Sequence, residues 1–258
     1  MKRLVLIAIA AIICMPVTDI EAKKKEKKAE TEYIYPGPEG WNEVEPEKYG
    51  FDSEKFKEAR RLFIEESRVT GVVAICGGEM IFQYGDIEEL SYIASCRKSV
   101  LSMLYGKYVD NGTIDLKKTI EELGIDDVEG LLPIEKTATV EHLIQSRSGV
   151  YHPASNPGSA SGMPDRGTIR PGSRFHYNNW DFNAAGTAFE MMTGKDIYDA
   201  INDDLAIPIE MQDWDRQAQR PGGNKIYSVH RAYHMYYSTR DMARIGYLML
   251  RNGKWKDT

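Results

Sequence analysis

Residues 71–85 constrain the fold of this 258-residue chain more tightly than any other stretch. Two β-rich runs, GVVAIC and EMIFQYG, stand on either side of Gly77-Gly78. β-Branched and aromatic residues suit a pleated surface, and a two-glycine link supplies the positive φ angles of a tight hairpin turn. The spacing therefore predicts an antiparallel pair. Upstream, Asp52-Ser53 offers an N-cap for a helix bearing Phe56, Ala59, Phe63 and Ile64. Downstream, Val100, Leu101, Met103, Leu104, Tyr108 and Val109 recur at about 3.6 residues and stop at Asn111-Gly112, predicting a second helix with one buried face.

Beyond that helix the texture is of short helices. They are expected after Asp115, ended by Gly124; after Thr139, carrying Val140, Leu143 and Ile144; from Asp181 to Thr193, ended by Gly194; and from Asp196 to Ala206, before Pro208. A last one starts at Ser238 with Asp241 as a capping box, carries Met242, Ile245, Leu248 and Met249, and ends at Asn252-Gly253. A sheet-bearing part, 41–94, thus leads into a mainly helical part, 95–258, interrupted by a long Gly/Pro/Ser-rich loop over 152–176. The fold class is α/β of the α+β kind: an antiparallel sheet flanked by helices, with a helical domain.

A hydrophobic content of 42% and a charged content of 28% allow an ordinary globular core. Residues 1–22 read as a secretory signal, with Lys2-Arg3 at the start, an apolar stretch from Leu4 to Cys14, and a cut after Ala22. That stretch is too short to span a bilayer, so the chain is expected to be exported, periplasmic or extracellular, without a transmembrane span after signal removal. Ile13 before Cys14 argues against lipidation, since such processing prefers a small residue there. Residues 23–40, charged and then Pro/Gly-rich, read as a linker ahead of a domain over 41–258. The net charge of −6 gives no basic surface for nucleic acid. Cys76 and Cys96 are too few and too far apart for a disulfide framework or a zinc site, so neither metal nor cofactor is expected.

Chemistry concentrates at Ser95 and Lys98. Three residues apart at a helix start, they place a hydroxyl beside an amine on one face. Burial disfavours the lysine charge, making a neutral amine available to take the Ser95 proton, and free N–H groups at a helix N-terminus suit an oxyanion. A second constellation, Tyr177 and Asn179 in HYNNWDF, again precedes a helix. A phenol beside a lysine can shuttle a proton and a carboxamide can hold a substrate carbonyl or the amine; alternatively Tyr177 packs and Asn179 caps the helix. Rival groups are Cys96, a thiol at the same helix start; His142 and His152; His230 and His234, at a spacing that could suit metal; and Arg147 and Arg174, which could meet a carboxylate.

Taken together, SCRKS with LYGKYVDNGTIDL, then HLIQSRSGVYH, then FHYNNWDFNAAG, and finally STRDMARIGYLMLRNGKW resemble the serine beta-lactamase and penicillin-binding-protein superfamily, nearest its class C beta-lactamase-related hydrolases. The resemblance implies a beta-lactamase/transpeptidase-like fold and an ester or amide hydrolysis in two steps, on a beta-lactam, a D-amino-acid peptide or a small ester. Ser95 would be acylated, Lys98 would activate it, Tyr177 would be the partner base, and Asn179 would orient substrate or Lys98. The family's third motif, Lys-Thr-Gly or His-x-Gly on a strand, has no counterpart; residues 192–195 read MTGK. The resemblance thus implies a C-terminally partial domain with an incomplete sheet, and leaves open a non-catalytic protein binding peptidoglycan or a partner on the same scaffold.

Overall fold

The computed structural model describes residues 33–156, 158 and 162–256. The stretch read as a signal, 1–22, and most of the 23–40 segment lie outside the described residues. Ile34–Thr258 forms one unit, and it is that unit whose structure follows.

Helix α1 (Ser53–Glu66) precedes strands β1 (Gly71–Cys76), β2 (Glu79–Gly85) and β3 (Ser91–Tyr92), then α2 (Arg97–Asp110). Next come α3 (Pro133–Lys136), α4 (Val140–Ile144), α5 (Asn179–Thr193) and α6 (Ile197–Ile201), the last running into a π-helical turn over Asn202–Ala206. Strands β4 (Arg220–Gly222), β5 (Ala232–His234) and β6 (Tyr236–Tyr237) lead into α7 (Thr239–Leu250). Among the described residues the strands form antiparallel pairs, β1 with β2, β3 with β6, and β4 with β5.

The hairpin turn falls on Gly77 and Gly78, with φ of 60° and 92°. A Cβ at Gly78 would meet the Ile34 carbonyl oxygen at 1.9 Å, so glycine is demanded twice over, by conformation and by space. Phe82 and Tyr84, two apart on β2 and therefore on one face, meet α1: Phe56 stacks on Phe82 at 4.9 Å between centroids and Phe63 lies 5.4 Å from Tyr84. No residue of α1 is fully buried, however. The deep core lies between α2 and α5, where Leu101, Tyr105, Trp180 and Phe189 are almost wholly enclosed. The Tyr105 hydroxyl donates to the Ala185 carbonyl at 2.6 Å, and the absence of a side chain at Gly186 admits the ring of Tyr233. No helix among the described residues is long and apolar enough to cross a membrane.

Four expectations change. The helix expected after Asp115 is a series of turns: the N–H groups of Ile120, Val140 and Glu141 bond to Ala138, Lys118 and Leu116, between two passing segments, and of the four-residues-back bonds of a helix the stretch makes the one from Leu123 to Thr119. The linker is shorter than 23–40, because Tyr35 packs against Tyr247 and Trp255 and the Gly37 carbonyl accepts from Arg244. Ser238 caps α7 by accepting from the Asp241 N–H at 3.1 Å, but the Asp241 carboxylate does not return the bond; it accepts from the N–H groups of Gln212 and Asp213. Ser95 lies not in the first turn of α2 but in a 3-10 turn, Ala94–Cys96, entered through Ala94 at φ 48°.

Candidate active site

The 3-10 turn exposes Ser95, while Lys98, in the first turn of α2, is 7% exposed. The Lys98 Nζ donates to Ser95 Oγ at 3.1 Å, to the Tyr177 hydroxyl at 2.7 Å and to Asn179 Oδ1 at 2.8 Å. The Tyr177 hydroxyl in turn donates to Ser95 Oγ at 2.8 Å, closing a triangle of hydroxyl, amine and phenol. Residues 82 positions apart are thereby in contact. Tyr177 arrives on the last residues of the long loop; Asn179 is the first residue of α5. The capping role falls on Asn178, whose side chain accepts from the Asp181 N–H, which frees Asn179 to face the lysine. The rings of Tyr177 and Phe182 lie 4.8 and 5.2 Å from Nζ.

Burial holds the Lys98 ammonium below the usual lysine range; the charge of Arg97 acts in the same direction and the Tyr177 hydrogen bond opposes it. For Tyr177 burial alone would push the phenol up, but the hydrogen bonds from Lys98 and with Ser95, and the charges of Lys98 and Arg97, bring it below its ordinary value. Both groups thus give up a proton more readily than they would in water, and a 2.7 Å hydrogen bond joins them, which suits transfer between them.

A cavity of about 810 Å³ opens over this triangle. Ser95, Tyr177 and Asn179 line it, with apolar walls from Ala154, Met163, Phe175 and Tyr227. Trp180 also reaches it, held by its Nε1 donating to Asp127 at 2.6 Å.

The other candidate residues lie elsewhere or serve the frame. Cys96 is exposed and free, and the bonds of Lys98 go past it. His142 accepts from the Thr139 N–H through Nδ1, capping α4. His152 lines the cavity with its ring nitrogens against the Pro153 and Val128 carbonyls. His230 sits between Thr187 and the Asp126 carbonyl, whereas His234 lies on the Tyr92 ring, so the pair does not converge. Among the described residues no group of three or more His, Cys, Asp and Glu side chains could hold a metal ion. Arg147 donates to the Gly172 carbonyl, and Arg174 is exposed. The MTGK run is the end of α5, with Gly194 at φ 68° as its left-handed cap, not a strand.

Two buried carboxylates behind the site gave no sequence signal. Asp127 accepts from Trp180, from the Ser228 hydroxyl at 2.6 Å and from the N–H groups of Val128 and Val229. Asp181 is fully enclosed and accepts from the hydroxyl and N–H of Ser148. Burial raises the Asp181 carboxyl to about 7, against the pull of those bonds. The folded chain therefore keeps this proton where the unfolded chain, with a carboxyl near 4, has lost it, and stability from this group is present below about pH 4 and lost as pH rises through about 7. In Asp181→Asn that slope should vanish: the urea midpoint of the wild type, measured relative to the variant, is expected to fall between pH 4 and 8. A difference constant across the range would contradict the buried acid.

The Beta-lactamase family profile matches residues 67–257, and the chain belongs to that family. The fold is similar to that of the octameric penicillin-binding protein homologue from Pyrococcus abyssi, 20% identical over 79% of this chain and 57% of that one, with a TM-score of 0.59. It is also similar to a candidate 6-aminohexanoate-dimer hydrolase from Bacillus anthracis, 17% identical over 87% and 66% of the two chains at 0.56. FmtA from Staphylococcus aureus is 15% identical over 87% and 70% at 0.57. The chain spans 57% and 66% of the length of the first two. No curated protein matches it. The mixed fold of helices and antiparallel pairs is the beta-lactamase/transpeptidase-like one expected from the sequence.

Proposed function

We propose that the chain carries the acylation centre of an exported serine hydrolase that cleaves an ester or amide, such as a beta-lactam, a D-amino-acid peptide or a small ester. One observation carries this: a buried lysine amine within hydrogen-bond reach of Ser95, Tyr177 and Asn179 at once. Ser95 Oγ attacks the carbonyl carbon while its proton passes to the Lys98–Tyr177 pair. The tetrahedral intermediate collapses, the leaving group takes that proton, and an acyl-Ser95 ester remains. Water, deprotonated by the same pair, then attacks the ester and returns Ser95 its proton. Asn179 holds the amine in place through Oδ1. Export is supported by the charged and then apolar first 22 residues. The neighbours named as a penicillin-binding protein homologue and as a dimer hydrolase support acyl transfer as the reaction class.

A fluorophosphonate probe is expected to label the protein at Ser95, with labelling lost in Ser95→Ala and retained in Cys96→Ala. Persistent labelling of Ser95→Ala would refute the assignment. Equal background hydrolysis by wild type and Ser95→Ala, with peptidoglycan peptide still bound, would select a binding protein on the same scaffold.

A further inference from the structure

Arg97 stands between the nucleophile and the amine in SCRK, and it is 1% exposed. A guanidinium cannot shed its proton, so enclosure leaves a charge that must find partners. Its Nη2 donates to Asn183 Oδ1 at 2.9 Å, and no carboxylate pairs with it among the described residues. The groups facing it are phenols and an imidazole: Tyr92 on β3, Tyr177 before α5, Tyr198 on α6, and His234 on β5.

Asn183 lies one helical turn after Asn179 on α5, so both amides share a face. Each is used in the same way. Asn179 turns its oxygen to Lys98 and its nitrogen to the Asn156 carbonyl at 2.8 Å. Asn183 turns its oxygen to Arg97 and its nitrogen to Asn156 Oδ1 at 2.9 Å, with Ser155 Oγ at 3.3 Å. A cation accepts nothing, so it dictates which end of each amide it meets, and the other end is left for the loop. Two consecutive cations of α2 are thereby bound by two asparagines of α5, and both asparagines by one residue of the long loop.

We propose that Arg97 and Asn183 are positioning residues of the acylation centre: their bond, anchored on Asn156, sets the register of α2 against α5 that brings the Lys98 amine to Ser95, and it keeps an uncompensated positive charge beside that amine. The proposal rests on the catalytic reading of Lys98 given above. Burial is the first cause of the downward displacement of Lys98, and the charge of the adjoining Arg97 adds to it, since one cation disfavours a second nearby. Tyr177 responds to the same charge in the opposite chemical sense, its ionised form being favoured.

The test compares Arg97→Gln, Arg97→Lys and Asn183→Asp in the full chain. Lys98 is followed by NMR of 13Cε-labelled lysine, its signal assigned by its loss in Lys98→Met. Its titration midpoint is expected to move to higher pH in Arg97→Gln, where the cation is gone. The same movement is expected in Asn183→Asp, where a carboxylate neutralises it, but not in Arg97→Lys, where a cation remains. Asn183→Asp also removes the donor to Asn156, and fluorophosphonate labelling at pH 7 should slow by about 10- to 100-fold. The near-isosteric Asn183→Asp decides the matter should Arg97→Gln not fold. A Lys98 midpoint unmoved in Asn183→Asp, or moved as far in Arg97→Lys as in Arg97→Gln, overturns the proposal. If the midpoint moves as expected while wild type resists the probe, the positioning stands and the hydrolase reading is what fails.

Discussion

Lys98→Met is expected to lower probe labelling and ester hydrolysis by about 100- to 10,000-fold, the range of a lost general base, without loss of thermal stability. The second half of that expectation follows from burial. Lys98 is enclosed at a cost to its charge, so an apolar side chain of similar length should fit at least as comfortably. Lys98→Arg should be equally inactive, because a guanidinium stays protonated and cannot take the serine proton. The pH dependence carries a definite sign. In the proposed mechanism the proton must leave the Lys98–Tyr177 pair, so the rate is expected to rise with pH, with an apparent midpoint that belongs to the pair and not to either residue. Since burial lowers Lys98, and Lys98 and Ser95 together overcome the effect of burial on Tyr177, that midpoint lies below the value of about 10.4 for free lysine. A profile rising only near 10.4, or a Lys98→Met variant that labels at the wild-type rate, would remove the mechanism.

The second large effect is on stability. Asp127→Ala should cost on the order of 3 kcal/mol or more, because it strands the indole N–H of Trp180, the hydroxyl of Ser228 and the N–H of Val229 in the interior without an acceptor. Burial by itself would raise the Asp127 carboxyl, yet the bonds from Ser228, Trp180 and the backbone hold it below the ordinary range. Its contribution is therefore present at neutral pH and lost as pH falls through the folded value. Urea denaturation at pH 7 measures the loss, and the gap between wild type and variant should narrow in acid. A midpoint within experimental scatter of wild type would mean that water or rearrangement replaces the carboxylate. The consequence for function is direct, since Trp180 neighbours Asn179 and lines the cavity.

The elements that could be read from the sequence are those whose signals are local. The hairpin at Gly77-Gly78, the cap at Asp52, the stripe of α2 and the stop of α5 at Gly194 each depend on residues within a few positions, and each stands where expected. The segment after Asp115 departs from its periodicity because its Ile120 and Glu121 donors reach across to the carbonyls of Ala138 and Lys136, partners that periodicity cannot see. Ser95, Lys98, Tyr177 and Asn179 were singled out by type and order, and the fold brings them together. Asp127 had no such signal: its partners lie 53 and 101 residues away. Asn183 could have been found, since NWDFN places it one turn beyond Asn179, but only once α5 was known to face a second cation. Arg97 carries no local signal, because a charged residue at a helix start is ordinarily solvated.

The way Asn156 is gripped separates two jobs that a hydrolase must perform. On the proposed reading, proton chemistry is housed where the second and fifth helices meet, while much of the chamber wall comes from the irregular loop, which Asn156 and Ser155 tie to the amides of the fifth helix. Substitutions of wall residues remote from that clasp, such as Met163 and Tyr227, are therefore expected to alter what is admitted while the bonds to the Lys98 amine stay in place.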